Sequence, residues 1–306
     1  MTTFAPVCLA AVQATPVILD REASVEKALD LSRDAAAQGA KLVVLPECFL
    51  SFYPSAAITR SRRDEGMTDL FERMWMSAVD VPGPTVDSFA HLCKDFDIHL
   101  AIGVNEREAA RPGTLYNTAL LVGPGGLLAK HRKLMPTYHE RLFHGFGNGQ
   151  DLEVTDTPIG RIGGLICWEH RMPLARYAVY RGGPQVWVAP TMDDSDTWLA
   201  LMQSIAFESG ASVVSVSQYL HGGEYPSDFP LELPADCDRV LARGNSVIVD
   251  GRSREIVAGP LIDCEGILVA ECDLRGSLRE KQWFDVVGHY SREDVLLPLL
   301  HADERT

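Results

Sequence analysis

Lys41-Leu-Val-Val-Leu-Pro-Glu47 is a run of apolar residues closed by a proline and a carboxylate. Residues of that kind over that length read as a buried strand, and Pro46 marks its end because proline cannot continue a hydrogen-bond ladder. Upstream, Arg21 to Gln38 carries Val25, Ala28, Leu29, Ser32 and Ala36 on one face at helical spacing, with Asp20 placed as N-cap and Gly39 as the C′ residue. Before that helix lies a second strand candidate, Val7-Cys-Leu-Ala-Ala-Val-Gln13. Strand, helix and strand in this order form a βαβ-like unit. If the two strands are parallel neighbours, Glu47 lands at the carboxyl edge of the sheet, where open α/β sheets place their sites.

The pattern continues along the chain. Ile98 to Val104, Leu115 to Val122, Arg161 to Ile166, Gln185 to Ala189, Ser212 to Ser217, Ser246 to Asp250 and Ile267 to Cys272 are further strand candidates. Pro84 to Phe96, Pro173 to Tyr180 and Asp196 to Ser209 read as helices, the last with Trp198, Leu201, Met202 and Ile205 on one face. Some strands come in pairs across short glycine turns and others alternate with helices, which predicts mixed sheets in an α/β protein. Val81-Pro-Gly-Pro84 and Gly123-Pro-Gly-Gly126 are turns rather than linkers, so a single domain over 1–306 is expected.

Composition excludes several classes of function. With 28 Lys and Arg against 42 Asp and Glu, a net charge of −14 argues against nucleic-acid or anionic-membrane partners. No apolar run approaches the roughly 18 residues of a membrane span, and the N-terminus lacks the pattern of a signal peptide. Seven scattered cysteines, an odd number, suit free thiols in a reducing cytoplasm, where the protein is expected to reside. No metal or other cofactor is expected, because the sequence has no C-x-x-C pair. His139-Glu-Arg-Leu-Phe-His144 is also one residue too long to set two imidazoles on one helical face.

A second run, Arg161-Ile-Gly-Gly-Leu-Ile-Cys167, ends on a thiol and is followed at once by Trp168-Glu169-His170-Arg171-Met172-Pro173. A cysteine where a buried strand gives way to polar chain is positioned like a nucleophile at the rim of a sheet. Taken singly, Cys167 reads as a small core residue, Glu47 as a solvated loop acid, and Lys133 in Lys130-His-Arg-Lys133 as part of a basic surface face. His170, three residues after Cys167, invites pairing as a base, although such spacing does not align base and nucleophile. Gly145-Phe-Gly-Asn-Gly149 lacks the strand, helix and lysine of a phosphate loop and reads as a tight turn.

Together the segments around Glu47, Lys133, Glu140 and Cys167, in this order, with Asp285-Val-Val-Gly-His-Tyr-Ser-Arg292 near the end, resemble the nitrilase family of carbon–nitrogen hydrolases. The resemblance implies a four-layer α-β-β-α sandwich of the carbon–nitrogen hydrolase type, a homodimer or larger homo-oligomer, and hydrolysis of an organic nitrile with water to a carboxylic acid and ammonia. It assigns Glu47 as base, Cys167 as nucleophile, Lys133 as the cation that meets charge on nitrogen, and Glu140 as the carboxylate that orients Lys133 or substrate. His170, His144 and Asn148 stand where many members carry Asn, Trp and Asp, which bears on pocket shape. The chain also stops soon after Arg292, without the long tail of larger members. Closeness in sequence nominates Tyr53, Trp168, Met192 and Trp198 as substrate contacts, and an aromatic lining suits arylaliphatic nitriles, with aromatic, aliphatic and cyanide substrates open. Two rivals share these residues: an amidase or N-carbamoyl hydrolase with the same triad, and a non-catalytic binding or assembly protein on this scaffold.

Overall fold

The computed structural model describes residues 4–55, 65–233 and 238–300, so Cys237 and both chain ends of the expected 1–306 domain lie outside the described residues. Two sheets face one another. The first runs in the order β13 (Gly266–Asp273), β1 (Pro6–Gln13), β2 (Leu42–Val44), β3 (His99–Arg107), β4 (Leu115–Gly123), β5 (Gly126–Arg132). The second runs β10 (Tyr219–His221), β11 (Val240–Val249), β9 (Ser212–Ser217), β8 (Val186–Thr191), β7 (Gly160–Gly164), β6 (Thr155–Thr157), with β12 (Ile256–Ile262) paired to β11. Each sheet has a parallel triplet at its centre, β1-β2-β3 in one and β7-β8-β9 in the other, flanked by antiparallel strands. That repetition of architecture leaves no trace as a sequence repeat.

Alternation of side chains at period two builds the layers. Val7, Leu9 and Ala11 of β1, Leu42 and Val44 of β2, and Ala101 of β3 point between the sheets, where they meet Ile162, Val186, Val214 and Ile248 of the second sheet. The intervening residues Ala10, Val12 and Val43, with Leu100 and Ile102, pack outward under α1 (Arg21–Ala37) and α3 (Pro84–Phe96). Trp187, Val213 and Val247 do the same under α4 (Pro173–Arg181) and α5 (Asp196–Ser209). Helix, sheet, sheet and helix are therefore stacked in four layers, as expected.

The opening βαβ unit forms as predicted: β1 and β2 are parallel neighbours, Asp20 accepts from the Ala23 amide at 3.0 Å, and Gly39 takes φ +94 after the helix. Helix α1 buries Ser24, Ala28, Ser32 and Ala35, a face rotated slightly from the predicted one onto small residues. The sequence reading missed α2 (Glu65–Met76), the strands β5, β6, β10 and β12, and α7 (Glu293–Leu300), which follows a four-residue α6 (Gly276–Arg279). Among the described residues no helix is long and apolar enough to cross a membrane.

Candidate active site

Glu47 follows β2, Cys167 follows β7 and Thr191 ends β8, so three side chains gather at the carboxyl ends of parallel strands. Lys133 is the first residue after β5, and Glu140 sits in the short 3₁₀ turn Tyr138–Leu142. The Lys133 ammonium donates to Glu47 Oε1 at 2.6 Å and to Glu140 Oε2 at 2.6 Å, and all three side chains have no exposure to solvent. Asn117 Nδ2 donates to both carboxylates, at 2.7 Å each. Glu47 Oε2 has no hydrogen-bond partner among the described residues, which leaves one lone-pair-bearing oxygen of a buried carboxylate unused.

The charge states follow from these neighbours. Burial disfavours the Lys133 ammonium, but the charges of Glu47, Cys167 and Glu140 outweigh it and hold its pKa well above the ordinary value. Burial also opposes the Glu140 carboxylate, yet Lys133, with His144 Nδ1 at 3.6 Å, keeps it below the usual range. Burial wins at Glu47, whose pKa is pushed up to about 7 despite Lys133, with Glu140 adding to the rise. Burial and the nearby Glu47 charge push the Cys167 thiol above its ordinary value, against the pull of Lys133 and Thr191. The resting site holds a thiol and a buried carboxyl group that titrates near neutrality.

Cys167 itself stands at φ 49, in the left-handed region that a side chain occupies only at a cost of about 1–2 kcal/mol. Several bonds hold it there. His170 Nδ1 lies 2.7 Å from the Cys167 carbonyl and its Nε2 accepts from Trp187 Nε1 at 2.9 Å, an arrangement that fixes the tautomer with the proton on Nδ1. Burial pushes the His170 pKa down to about 3, so His170 is a neutral brace and not a base for the sulfur. Glu169 takes the amides of Ile166 (2.7 Å) and Leu134 (2.6 Å) and thereby ties the turn to the Lys133 segment.

The basic run Lys130 to Lys133 proves to be fully paired. Lys130 and Arg132 both bond Glu106, Arg132 also reaches Glu108, and on the opposite face His131 lies between Asp151 and Glu169 while Lys133 lies between Glu47 and Glu140. The turn Gly145 to Gly149 backs this strand end: Gly147 donates to the Lys133 carbonyl at 2.8 Å, and a Cβ there would stand 2.0 Å from the Arg132 carbonyl oxygen. Asn148 only closes that exposed turn, accepting from the Gln150 amide, and His144 bonds Asn105 Oδ1 at 2.7 Å through Nε2.

Of the four nominated substrate contacts, Tyr53 stands where Glu140, Glu47 and Cys167 all act on it, and burial keeps its phenol neutral. Met192 packs at the edge of the cluster that holds Phe52, Phe143 and Tyr225. Trp168 is half exposed, with Nε1 bonded to Asp193 Oδ2 at 2.9 Å and the Arg171 guanidinium 5.4 Å from its ring centre. Trp198 does not line the site. It is fully buried in the core beneath α5, bonded to Ser215 Oγ at 2.7 Å and edge-on to His170, because its face of the helix turns to the sheet. Asn117, His131, Glu169 and Thr191 escaped the sequence reading. Asn117 alone carried a signal, a polar residue inside an apolar strand run.

A buried acid–lysine–acid cluster beside a thiol, at the strand ends of a four-layer sandwich, defines a class of carbon–nitrogen bond hydrolase. The family model for carbon-nitrogen hydrolases matches residues 8–279, and the chain belongs to that family. It is similar to an aliphatic nitrilase of Sinorhizobium fredii, 44% identical over 290 residues that cover 94% of this chain and 92% of that one. It is also similar to a bifunctional nitrilase/nitrile hydratase of Nicotiana tabacum, 41% identical over 293 residues, 93% of this chain and 83% of that one. The fold matches a carbon-nitrogen hydrolase from Helicobacter pylori with a TM-score of 0.73 at 20% identity, covering 97% of this chain and 99% of that one. Nit3 of Saccharomyces cerevisiae, from branch 10 of the nitrilase superfamily, gives a TM-score of 0.72 at 24% identity over 94% and 97% of the two chains.

Proposed function

We propose that this chain is a nitrilase, hydrolysing an organic nitrile to its carboxylic acid and ammonia with Glu47, Lys133 and Cys167 as its catalytic groups and Glu140 in support. The observation that carries the reading is the buried Lys133 clamped between two carboxylates, close enough that Glu47 and Lys133 both act on the Cys167 sulfur. Because the sulfur rests as a thiol, attack and proton transfer belong to one event. The S–H proton passes to Glu47, a C–S bond forms, and the displaced π pair settles on nitrogen, which takes that same proton from Glu47 and returns Glu47 to the carboxylate form. Lys133 stabilises the charge on that nitrogen as the thioimidate forms. Glu47 then takes a proton from water as its oxygen adds to the carbon and passes it to the nitrogen. The C–N bond breaks as the new hydroxyl gives its proton to the departing ammonia, and a second water adds to the thioester, one of its protons returning to the expelled sulfur, to give free acid and thiol. If the tetrahedral adduct expels sulfur instead of ammonia, the product is an amide.

Glu140 and Asn117 keep Lys133 and Glu47 in register, since a lysine clamped by two acids cannot swing away without leaving buried charges unpaired. Tyr53, Trp168 and Met192 are the proposed substrate contacts, and their aromatic and thioether surfaces favour an arylaliphatic nitrile. The whole chain is taken as one domain acting in the cytoplasm as a homodimer or larger homo-oligomer. The test is a nitrile panel, aliphatic to arylaliphatic, scored for acid, amide and ammonia, with mass spectrometry for an adduct on Cys167 that Cys167→Ala lacks. Good cleavage of amides with no attack on any nitrile would refute the reading in favour of an amidase, and an absence of both turnover and adduct would leave only a binding protein.

A further inference from the structure

The sulfur of Cys167 has one hydrogen-bond partner among the described residues, the hydroxyl of Thr191, with Oγ1 3.2 Å from Sγ. The contact is built by the sheet. Strands β7 and β8 run parallel with Ile162 opposite Val186, Gly163 opposite Trp187 and Gly164 opposite Val188. That spacing of 24 residues, carried past the end of β7, sets Cys167 opposite Thr191, which is also 24 residues on. Thr191 is wholly buried and ends β8, so its place relative to the sulfur is fixed by strand pairing rather than by a loop.

The direction of the bond is fixed as well. Thr191 Oγ1 accepts from the Asp193 amide at 2.9 Å, which occupies a lone pair and leaves the hydroxyl proton free to point elsewhere. The sulfur is the acceptor in reach. Asp193 is locked in turn: its Oδ2 accepts from Trp168 Nε1 at 2.9 Å and from Arg171 at 2.7 Å, so the end of β8 and the turn carrying Cys167 are tied at two points.

We infer that Thr191 is a further catalytic residue, a dedicated hydrogen-bond donor to the Cys167 sulfur that stabilises negative charge there as the thiol gives up its proton and again when sulfur is expelled from the thioester. Lys133, committed to Glu47 and Glu140, is kept for the nitrogen end of the reacting group, and Thr191 serves the sulfur end. A donor to an ionised sulfur gains strength as charge develops, because charge-assisted hydrogen bonds are about twice as strong as neutral ones. Glu47 and burial both oppose that charge, so this site has particular need of such a donor.

The inference rests on Cys167 as the nucleophile, and the test reads the sulfur without any nitrile. Thr191→Val keeps the branched shape and removes the hydroxyl, while Thr191→Ser keeps the hydroxyl. Alkylation of Cys167, which is buried, by iodoacetamide is followed by mass spectrometry of its own peptide across pH, because the exposed Cys264 also reacts. The valine variant is expected to alkylate at Cys167 about 10- to 100-fold more slowly at neutral pH, with the ionisation midpoint moved upward, and the serine variant to regain the wild-type profile. Alongside, kcat for a nitrile should fall in the valine variant with KM little changed. A valine variant that melts as wild type and keeps its alkylation profile overturns the inference, as does a serine variant as slow as the valine one. Should the valine protein not fold, the serine profile decides: wild-type alkylation supports the donor role and a loss of rate of about 10- to 100-fold overturns it. Failure of nitrile turnover in the wild type, with the alkylation difference intact, would instead refute the nitrilase reading alone.

Discussion

Replacing His131 by Gln removes a cation from between two acids, and its cost can be worked from two directions. Burial disfavours the His131 imidazolium, but the hydrogen bonds of Asp151 at 2.8 Å and Glu169 at 3.0 Å outweigh it and push its pKa up to about 9 from an ordinary 6.5. At about 1.4 kcal/mol for each tenfold in proton affinity, that rise is worth on the order of 3 kcal/mol of folding stability. Removing one member of a buried charged set independently costs about 3–5 kcal/mol, and Glu169 is fully buried. The two figures agree. The sign follows from a folded pKa above the unfolded one: the stabilisation is fully present below pH 6.5 and is lost as pH rises through about 9. Thermal melting of wild type and His131→Gln between pH 6 and pH 10 should therefore show a wide gap at pH 6 that shrinks by about 3 kcal/mol at pH 10. A gap of constant size across that range would refute the reasoning, since a neutral packing role has no reason to titrate.

Two further outcomes follow from the geometry. With the Glu47 pKa at about 7, kcat/KM for a nitrile should fall about tenfold per pH unit below that point, because the base must be ionised to accept the thiol proton; a profile flat down to pH 5 would remove Glu47 from that role. Gly103→Ala should destabilise the fold by about 1–3 kcal/mol and depress activity further by moving Glu47, since its Cβ would lie 2.5 Å from the Pro46 oxygen and 2.6 Å from Glu47 Cα. Gly125→Ala, where a methyl meets nothing within 4 Å, is the control in the same melting and turnover assays.

The strands that build the centre of each sheet were legible because both of their faces are buried, and a continuous apolar run has few other uses. Helices α3 and α5 were predicted with their observed bounds, Pro84 fixing one start and Gly210 one end. Strand β5 was hidden by its charges: Lys130 to Lys133 reads as a solvated surface only until the carboxylates that receive it are brought from between 7 and 86 residues away by folding. Trp198 was misleading in the opposite sense, while His170 is, as read from its spacing, not a base for the sulfur. Both types are common at sites, and both serve here as buried bracing behind the Cys167 turn. Nothing in local spacing distinguishes Thr191 from any other strand-end threonine, because its meaning depends on the pairing of β7 with β8.

The four cations at the end of β5 also proofread the sheet. Sliding that strand by one residue exchanges its faces, which would thrust a guanidinium toward the enclosed acids of the site and leave Glu106 facing the wrong partners. Misregistration, normally penalised through exposed hydrophobes, is here penalised through mismatched charge as well, so the pairing of the buried acid–lysine–acid cluster depends on correct closure of the sheet edge.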